Sequence, residues 1–170
     1  MSTSTINGAG GGHESQKTTA SKAFLITFFK RARDIIKNVD IEIHNEYSVP
    51  CPPEYNNEEG KRYQSDIALI IPGFPQYSFL IEIDGKVGHN HKAYNILTKT
   101  TTDDLRDAYI YHQYKLPIFR LKLDWLVQWD SKDNYEELLD ELTFQHKKFK
   151  HGKLPKNPII HLARQKGIFR

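Results

Sequence analysis

The sequence predicts an α/β protein: a mixed sheet with helices, in the order α-β-β-β-α-β-α. Three observations carry that expectation. The chain opens its apolar portion with a helical period, continues with three consecutive strand-like runs, and then places a helical segment before a fourth such run. A helix between the last two strands makes a right-handed parallel crossover the expected connection.

Ser21 to Asn38 reads as the first helix, because Phe24, Phe28, Ala32, Ile35, Ile36 and Val39 recur at helical spacing while Lys30, Arg31, Arg33 and Lys37 fall opposite. Ile41 to Val49 follows as a strand, with Ile41, Ile43, Asn45 and Tyr47 alternating against Glu42, His44 and Glu46, and Pro50 closes it. Cys51 to Lys61 is rich in Pro, Asn and Glu and reads as a loop. Arg62 to Ile71 and Tyr77 to Asp84 are the next strands, and Pro72-Gly73-Phe74-Pro75-Gln76 between them is short enough for a hairpin.

A loop with Gly88, His89 and His91 leads to a helix over Thr101 to Tyr114, capped by Thr101 or Thr102. Its first turn holds Asp103 and Asp104, where the dipole favours acids, and Leu105, Ala108, Tyr109 and His112 are expected to line its inner face. Leu116 to Leu123 is the fourth strand, with Pro117 near its start. A last helix is expected from Asp133, which forms a capping-box spacing with Glu136, and it would bury Tyr135, Leu138, Leu139, Leu142 and Phe149. Trp125 and Trp129 read as packing residues. No internal repeat is present.

With 170 residues the chain is expected to hold one core-forming domain over 21–149. Residues 1–20, rich in Ser, Thr and Gly, read as a disordered arm, and 150–170 as a basic extension. The arm has neither the apolar core of a signal peptide nor the Arg-rich pattern of a transit peptide, and no apolar run approaches the roughly 20 residues that span a bilayer. The expectation is a soluble, intracellular protein without a membrane partner, in the cytoplasm or the nucleus. The single cysteine, Cys51, has no partner for an internal disulfide and reads as a small residue before Pro52-Pro53. The net charge of +3 is unevenly spread: no acid follows Glu141, whereas Lys147, Lys148, Lys150, Lys153, Lys156, Arg164, Lys166 and Arg170 do. Such a segment suits a polyanion, or is a solvated tail.

Two of the buried-type strands carry acids where Val or Leu would serve packing better. Asp66 opens Ile67-Ala68-Leu69-Ile70-Ile71, and Glu82 and Asp84 interrupt Phe79-Leu80-Ile81-Glu82-Ile83-Asp84. A buried carboxylate is costly unless paired or bound to a cation. Glu82, Asp84 and Lys86 share one strand face while Ile81 and Ile83 take the other, which reads as a metal site beside a cationic group. The chemistry this suggests is phosphodiester hydrolysis.

Asp66, then Ile81-Glu82-Ile83-Asp84-Gly85 followed by His89, then Asp103-Asp104-Leu105-Arg106, then Leu116-Pro117-Ile118-Phe119-Arg120-Leu121 resemble, in that order and at those spacings, the motifs of the PD-(D/E)XK nuclease superfamily, nearest to the branch similar to very-short-patch-repair endonucleases. The resemblance covers 21–126. It implies a restriction-endonuclease-like α-β-β-β-α-β core, here with an additional C-terminal helix, and a Mg2+- or Mn2+-dependent endonuclease acting on DNA, with RNA left open. Asp66, Glu82 and Asp84 would then be metal ligands, joined by the Ile83 carbonyl, with Lys86 and His89 completing the catalytic set as ligands of the nucleophile or the phosphate. Arg106 and Arg120 would meet phosphate or carboxylate, and the lysines at 147, 148, 150 and 153 would bind DNA. The third strand departs from the usual acid-x-Lys, so either Glu82-Ile83-Asp84 or Asp84-Gly85-Lys86 is the working register, and the first is favoured because Gly85 ends the regular strand. The first helix offers Asp34 where relatives carry Glu, with Glu42 and Glu46 as substitutes. Cutting both strands would take a homodimer or two visits.

Each element of this reading has a plain alternative. Asp84-Gly85 can be a strand-ending turn, His89 and His91 ordinary loop histidines, and Asp103 with Arg106 a salt bridge that braces the site. The competing functions are a nucleic-acid binder that does not cut and a scaffold protein with a basic tail. A binder gains nothing from burying three acids together.

Overall fold

The computed structural model describes residues 16–36, 39–55, 62–85 and 102–148, together with 160, 161 and 163. Its elements are α1 (Gln16–Ile35), β1 (Glu42–Pro50), β2 (Arg62–Ile70), a short 3-10 turn at Pro75–Tyr77, β3 (Phe79–Asp84), α2 (Thr102–Tyr114), β4 (Ile118–Lys122), α3 (Leu123–Ser131) and α4 (Tyr135–Lys148). The four strands form one sheet in the order β1-β2-β3-β4. The first three are antiparallel neighbours, and β4 lies parallel to β3 after the crossover through α2. Among the described residues no helix is long and apolar enough to cross a membrane.

The two sheet faces are built differently. Odd-numbered residues of the central strands, Ile67, Leu69, Phe79, Ile81, Ile83, Phe119 and Leu121, join α1, α3 and α4 in the main core. In α1 the buried positions Ser21, Lys22, Phe24, Leu25, Phe28, Phe29 and Ala32 follow the spacing of one helical stripe. Phe79 stacks on Phe119 at 4.7 Å and meets Phe29 edge-on at 5.9 Å, which ties helix to sheet. The opposite face carries a smaller cluster of Ala68, Leu80, Ile110, Leu116, Ile118, Val49, Cys51 and Tyr63 under α2.

The hairpin between β2 and β3 follows its sequence. Gly73 sits at φ 83 in a turn closed by the Phe74 amide donating to the Ile71 carbonyl at 2.9 Å, with Pro72 ahead of it. That is the arrangement of a type II turn, which requires φ > 0 at its third residue.

Four expectations need correction. The first helix begins at Gln16, so Gln16 to Ala20 are helical instead of belonging to the arm. α3 was not expected: Leu123 continues from β4 with no Gly or Pro to punctuate the change, and Leu126 and Trp129 drive the segment into the core. α4 is capped one residue later than expected, because Asp133 takes a left-handed φ of 52 and the Asn134 side chain accepts the Glu137 amide at 3.2 Å. Finally, α2 is rotated about its axis relative to the expected apolar face. Leu105, Ala108 and His112 are exposed, whereas Arg106 and Ile110 are buried and Asp103, Asp107 and Tyr109 partly so. Asp103 and Asp107 turn inward to Arg120 of the sheet, and Arg106 turns inward over the Tyr63 ring. Phe149, also expected in the core, lies outside the described residues.

Candidate active site

The acids meet where the β2–β3 ladder ends. The pairing Ile67↔Ile81, continued by one step, sets Asp66 beside Glu82, and the β3–β4 register sets Glu82 beside Arg120. The ladder is not continued by backbone bonds at this point: the Asp66 Oδ2 accepts the Ile83 amide at 2.6 Å, replacing a strand carbonyl with a carboxylate.

Glu82 is a strongly perturbed group of the site. Burial, and then the Asp66 charge beside it, push its carboxyl up to about 8, against the opposing pull of a hydrogen bond from the Tyr63 hydroxyl and of Arg120 and Arg106. Tyr63 donates to Glu82 Oε1, and burial and the same glutamate hold the Tyr63 phenol well above its ordinary range. Arg106 lies over the Tyr63 ring at 4.3 Å.

Asp84 goes elsewhere. Its Oδ1 accepts from Arg120 Nη1 at 2.8 Å, while Arg120 Nε and Nη2 donate to Asp107 at 2.8 and 3.1 Å and Asp103 lies 3.8 Å away. Burial disfavours the Arg120 charge, but the Asp107 bonds and the surrounding carboxylates more than offset it, and the guanidinium stays charged. Arg106 pairs with Asp103 at 3.0 Å and Asp107 at 3.5 Å. The exposed edge of β4 is closed by Gln145 of α4, whose amide oxygen accepts from the Arg120 N–H and whose amide nitrogen donates to the Arg120 carbonyl, both at 2.7 Å. A side chain thus supplies the bonds a fifth strand would make.

Of the residues singled out from the sequence, the structure brings together Asp66 and Glu82, with Ile83 bonded to Asp66 through its amide. It turns Asp84 to Arg120. Arg120 donates to Asp84 and Asp107, and Arg106 pairs with Asp103 and Asp107 while its buried Nε has no hydrogen-bond acceptor among the described residues. Lys147 and Lys148 end α4, with the Lys148 ammonium 4.7 Å above the exposed Phe144 ring. Lys86, His89, Lys150 and Lys153 lie outside the described residues. Among the described residues no group of three or more His, Cys, Asp and Glu side chains is placed to hold a metal ion.

Two contributors were missed. Tyr63 belongs by parity with Ser65, Ile67 and Leu69, yet it sits in the opposite cluster. The change of face falls beside Glu46, whose φ of 69 is in the left-handed region, a conformation that costs a non-glycine residue free energy. Lys22 is the other. Its ammonium lies 3.5 Å from Glu46 and 4.0 Å from Asp66, with the side chain 7% exposed. A lysine in register with Leu25 and Phe29 on the buried stripe of α1 was the signal available in the sequence.

No protein-family model, curated protein or solved structure matches the chain.

Proposed function

We propose that the chain is a divalent-cation-dependent endonuclease that hydrolyses phosphodiester bonds in DNA. The observation that carries this reading is the Asp66–Glu82 pair: two carboxylates on adjacent strands, side by side, one of them pushed up to about 8 by burial and by the other. A packing role does not account for the pair, since apolar residues of similar size would be less costly there. The donor set fits a hard cation that takes carboxylate oxygens, and Mg2+ or Mn2+ would offset the burial and the Asp66 charge that keep Glu82 protonated. Asp66 and Glu82 would hold it. When bound, it supplies the activated nucleophile and neutralises charge developing on the phosphoryl group.

The remaining work falls to the chain itself. The Ile83 amide orients Asp66, and the Tyr63 hydroxyl orients Glu82. Arg120 and Arg106 offset much of the charge of Asp84, Asp103 and Asp107 and so limit the negative potential that would repel a phosphate. Lys86 and His89, which follow β3 directly in sequence, are the proposed donors to the phosphate or the nucleophile. Lys147 and Lys148, and the basic residues after them, supply sequence-independent attraction to the DNA backbone.

A second reading, a nucleic-acid binder that does not cut, is favoured by one observation: Asp84 is already neutralised by Arg120 instead of standing beside Asp66. A single experiment separates the two. Supercoiled plasmid incubated with the protein should be nicked in Mg2+ or Mn2+ and left intact in EDTA. Asp66→Asn should lower the single-turnover rate by at least about a hundredfold, the scale of losing a group that holds a catalytic cation. Wild-type-rate cleavage by Asp66→Asn refutes the assignment, and DNA retention without nicking favours the binder.

A further inference from the structure

Lys22 is a charged residue where α1 is otherwise committed to the core. Its neighbours on the buried stripe, Phe24, Leu25, Phe28 and Phe29, are 5% exposed or less, and a lysine among them needs a reason to stay. Its ammonium reaches the polar end of the sheet and lies between two carboxylates from adjacent strands, 3.5 Å from Glu46 Oε2 and 4.0 Å from Asp66 Oδ1. The register Asn45↔Ile67 and Tyr47↔Ser65 brackets Glu46 and Asp66 as neighbours. Gln64 donates to the other Glu46 oxygen at 2.6 Å, which fixes that carboxylate in position for the lysine.

We propose that Lys22 is a built-in counter-ion of the acid site: its ammonium neutralises Asp66 while no divalent cation is present and competes with that cation for the same carboxylate. This rests on the metal-dependent reading above. Lys22 is a positioning residue, acting on the reaction only through Asp66. A fixed positive charge about 4 Å from a ligand oxygen opposes the arrival of a second positive charge, and water only partly screens it, with the Lys22 side chain 7% and Asp66 25% exposed. Glu46 is the alternative partner that receives the ammonium when the cation takes Asp66, because it is the nearer of the two carboxylates and half exposed. The arrangement sets a threshold concentration of cation below which the site stays closed by its own lysine.

The test is calorimetric titration of Mn2+ into the DNA-free, full-length protein, with thermal unfolding in EDTA measured in parallel. Lys22→Met should bind Mn2+ roughly tenfold more tightly than wild type and melt at a lower temperature in EDTA, because Asp66 and Glu46 then face each other without a cation. Lys22→Gln, which keeps a donor for Glu46 but no charge, should match Lys22→Met in affinity, and Lys22→Arg should remain near wild type. If Lys22→Met folds only when Mn2+ is added, that too supports the counter-ion role. Unchanged or weaker Mn2+ binding by both neutral variants, beside clear binding by wild type, overturns the inference and leaves the metal-dependent reading standing. Absence of Mn2+ binding by wild type and by every variant overturns both.

Discussion

Phe119 and Arg120 are consecutive residues of β4 that look into opposite halves of the molecule. Phe119 is fully buried against Phe79 in the core shared with α1, α3 and α4, while Arg120 turns toward α2 and ties together Asp84, Asp103 and Asp107. The first face is held by area and shape, which are tolerant of chemical detail but not of lost volume. The second combines a smaller apolar cluster with charges whose value depends on every partner being present. Such a network is costly to leave incomplete, which makes this face the candidate site. The apolar face is therefore the scaffold, and the α2 face, with its acids, is where function is to be sought.

The contrast predicts a ranking. Phe119→Ala should cost the most, about 3–5 kcal/mol, as is usual for truncating a buried aromatic. Chemical denaturation should report the loss with an unchanged m-value, and a cost under about 1 kcal/mol would mean that this face can collapse onto the gap. Arg120→Met should cost less, about 2–3 kcal/mol. That is below the full penalty for orphaning a buried charge, because the guanidinium remains partly in contact with water. Arg120→Lys should recover little of it, since a single ammonium cannot reproduce the fork of bonds to Asp107 and Asp84. A neutral or stabilising Arg120→Met would show that the three acids need no second cation beside Arg106 and would weaken the distinction between the faces.

How far each face was legible in the sequence follows the same division. The apolar face rests on local periodicity, so the stripe of α1, the runs of β2 to β4 and the packing side of α4 were all readable from spacing. α3 was lost because a nine-residue helix beginning directly after a strand offers neither breaker nor a long period. The polar face depends on pairings between distant segments. Tyr63 and Glu82 are 19 residues apart, and Arg120 and Asp84 are 36 apart. The acids were visible because they interrupt apolar strands, but their partners were not. Nothing local marks Lys22 as reaching Asp66, and the left-handed backbone at Glu46 that accompanies the change of face near Tyr63 has no glycine to announce it. For the same reason the inner side of α2 was misjudged: apolarity selects Leu105 and Ala108, whereas the helix is oriented by Asp103, Arg106 and Asp107.

The gentlest way to sharpen the comparison is to titrate the polar face and leave its packing intact. The Glu82 carboxyl is raised from an ordinary 4.5 to about 8 in the folded protein, by burial first and by Asp66 second. Between those values the native state keeps a proton that the unfolded state has released. The unfolded state thus binds fewer protons, and stability must fall as pH rises through that window, by at most about 1.4 kcal/mol per pH unit from this one group. Below pH 4.5 both states hold the proton, and above pH 8 neither does, so the slope vanishes at both ends. Glu82→Gln retains an oxygen that accepts the Tyr63 hydroxyl and carries no charge at any pH. In EDTA it should remove this contribution to the slope and melt higher than wild type at pH 8, while losing nicking activity in Mg2+. Denaturant midpoints measured at unit pH steps from 5 to 9 decide the matter. Parallel curves for wild type and Glu82→Gln would mean that Glu82 ionises as an exposed carboxylate does, and the side-by-side placement with Asp66 on which the catalytic reading depends would fail with it.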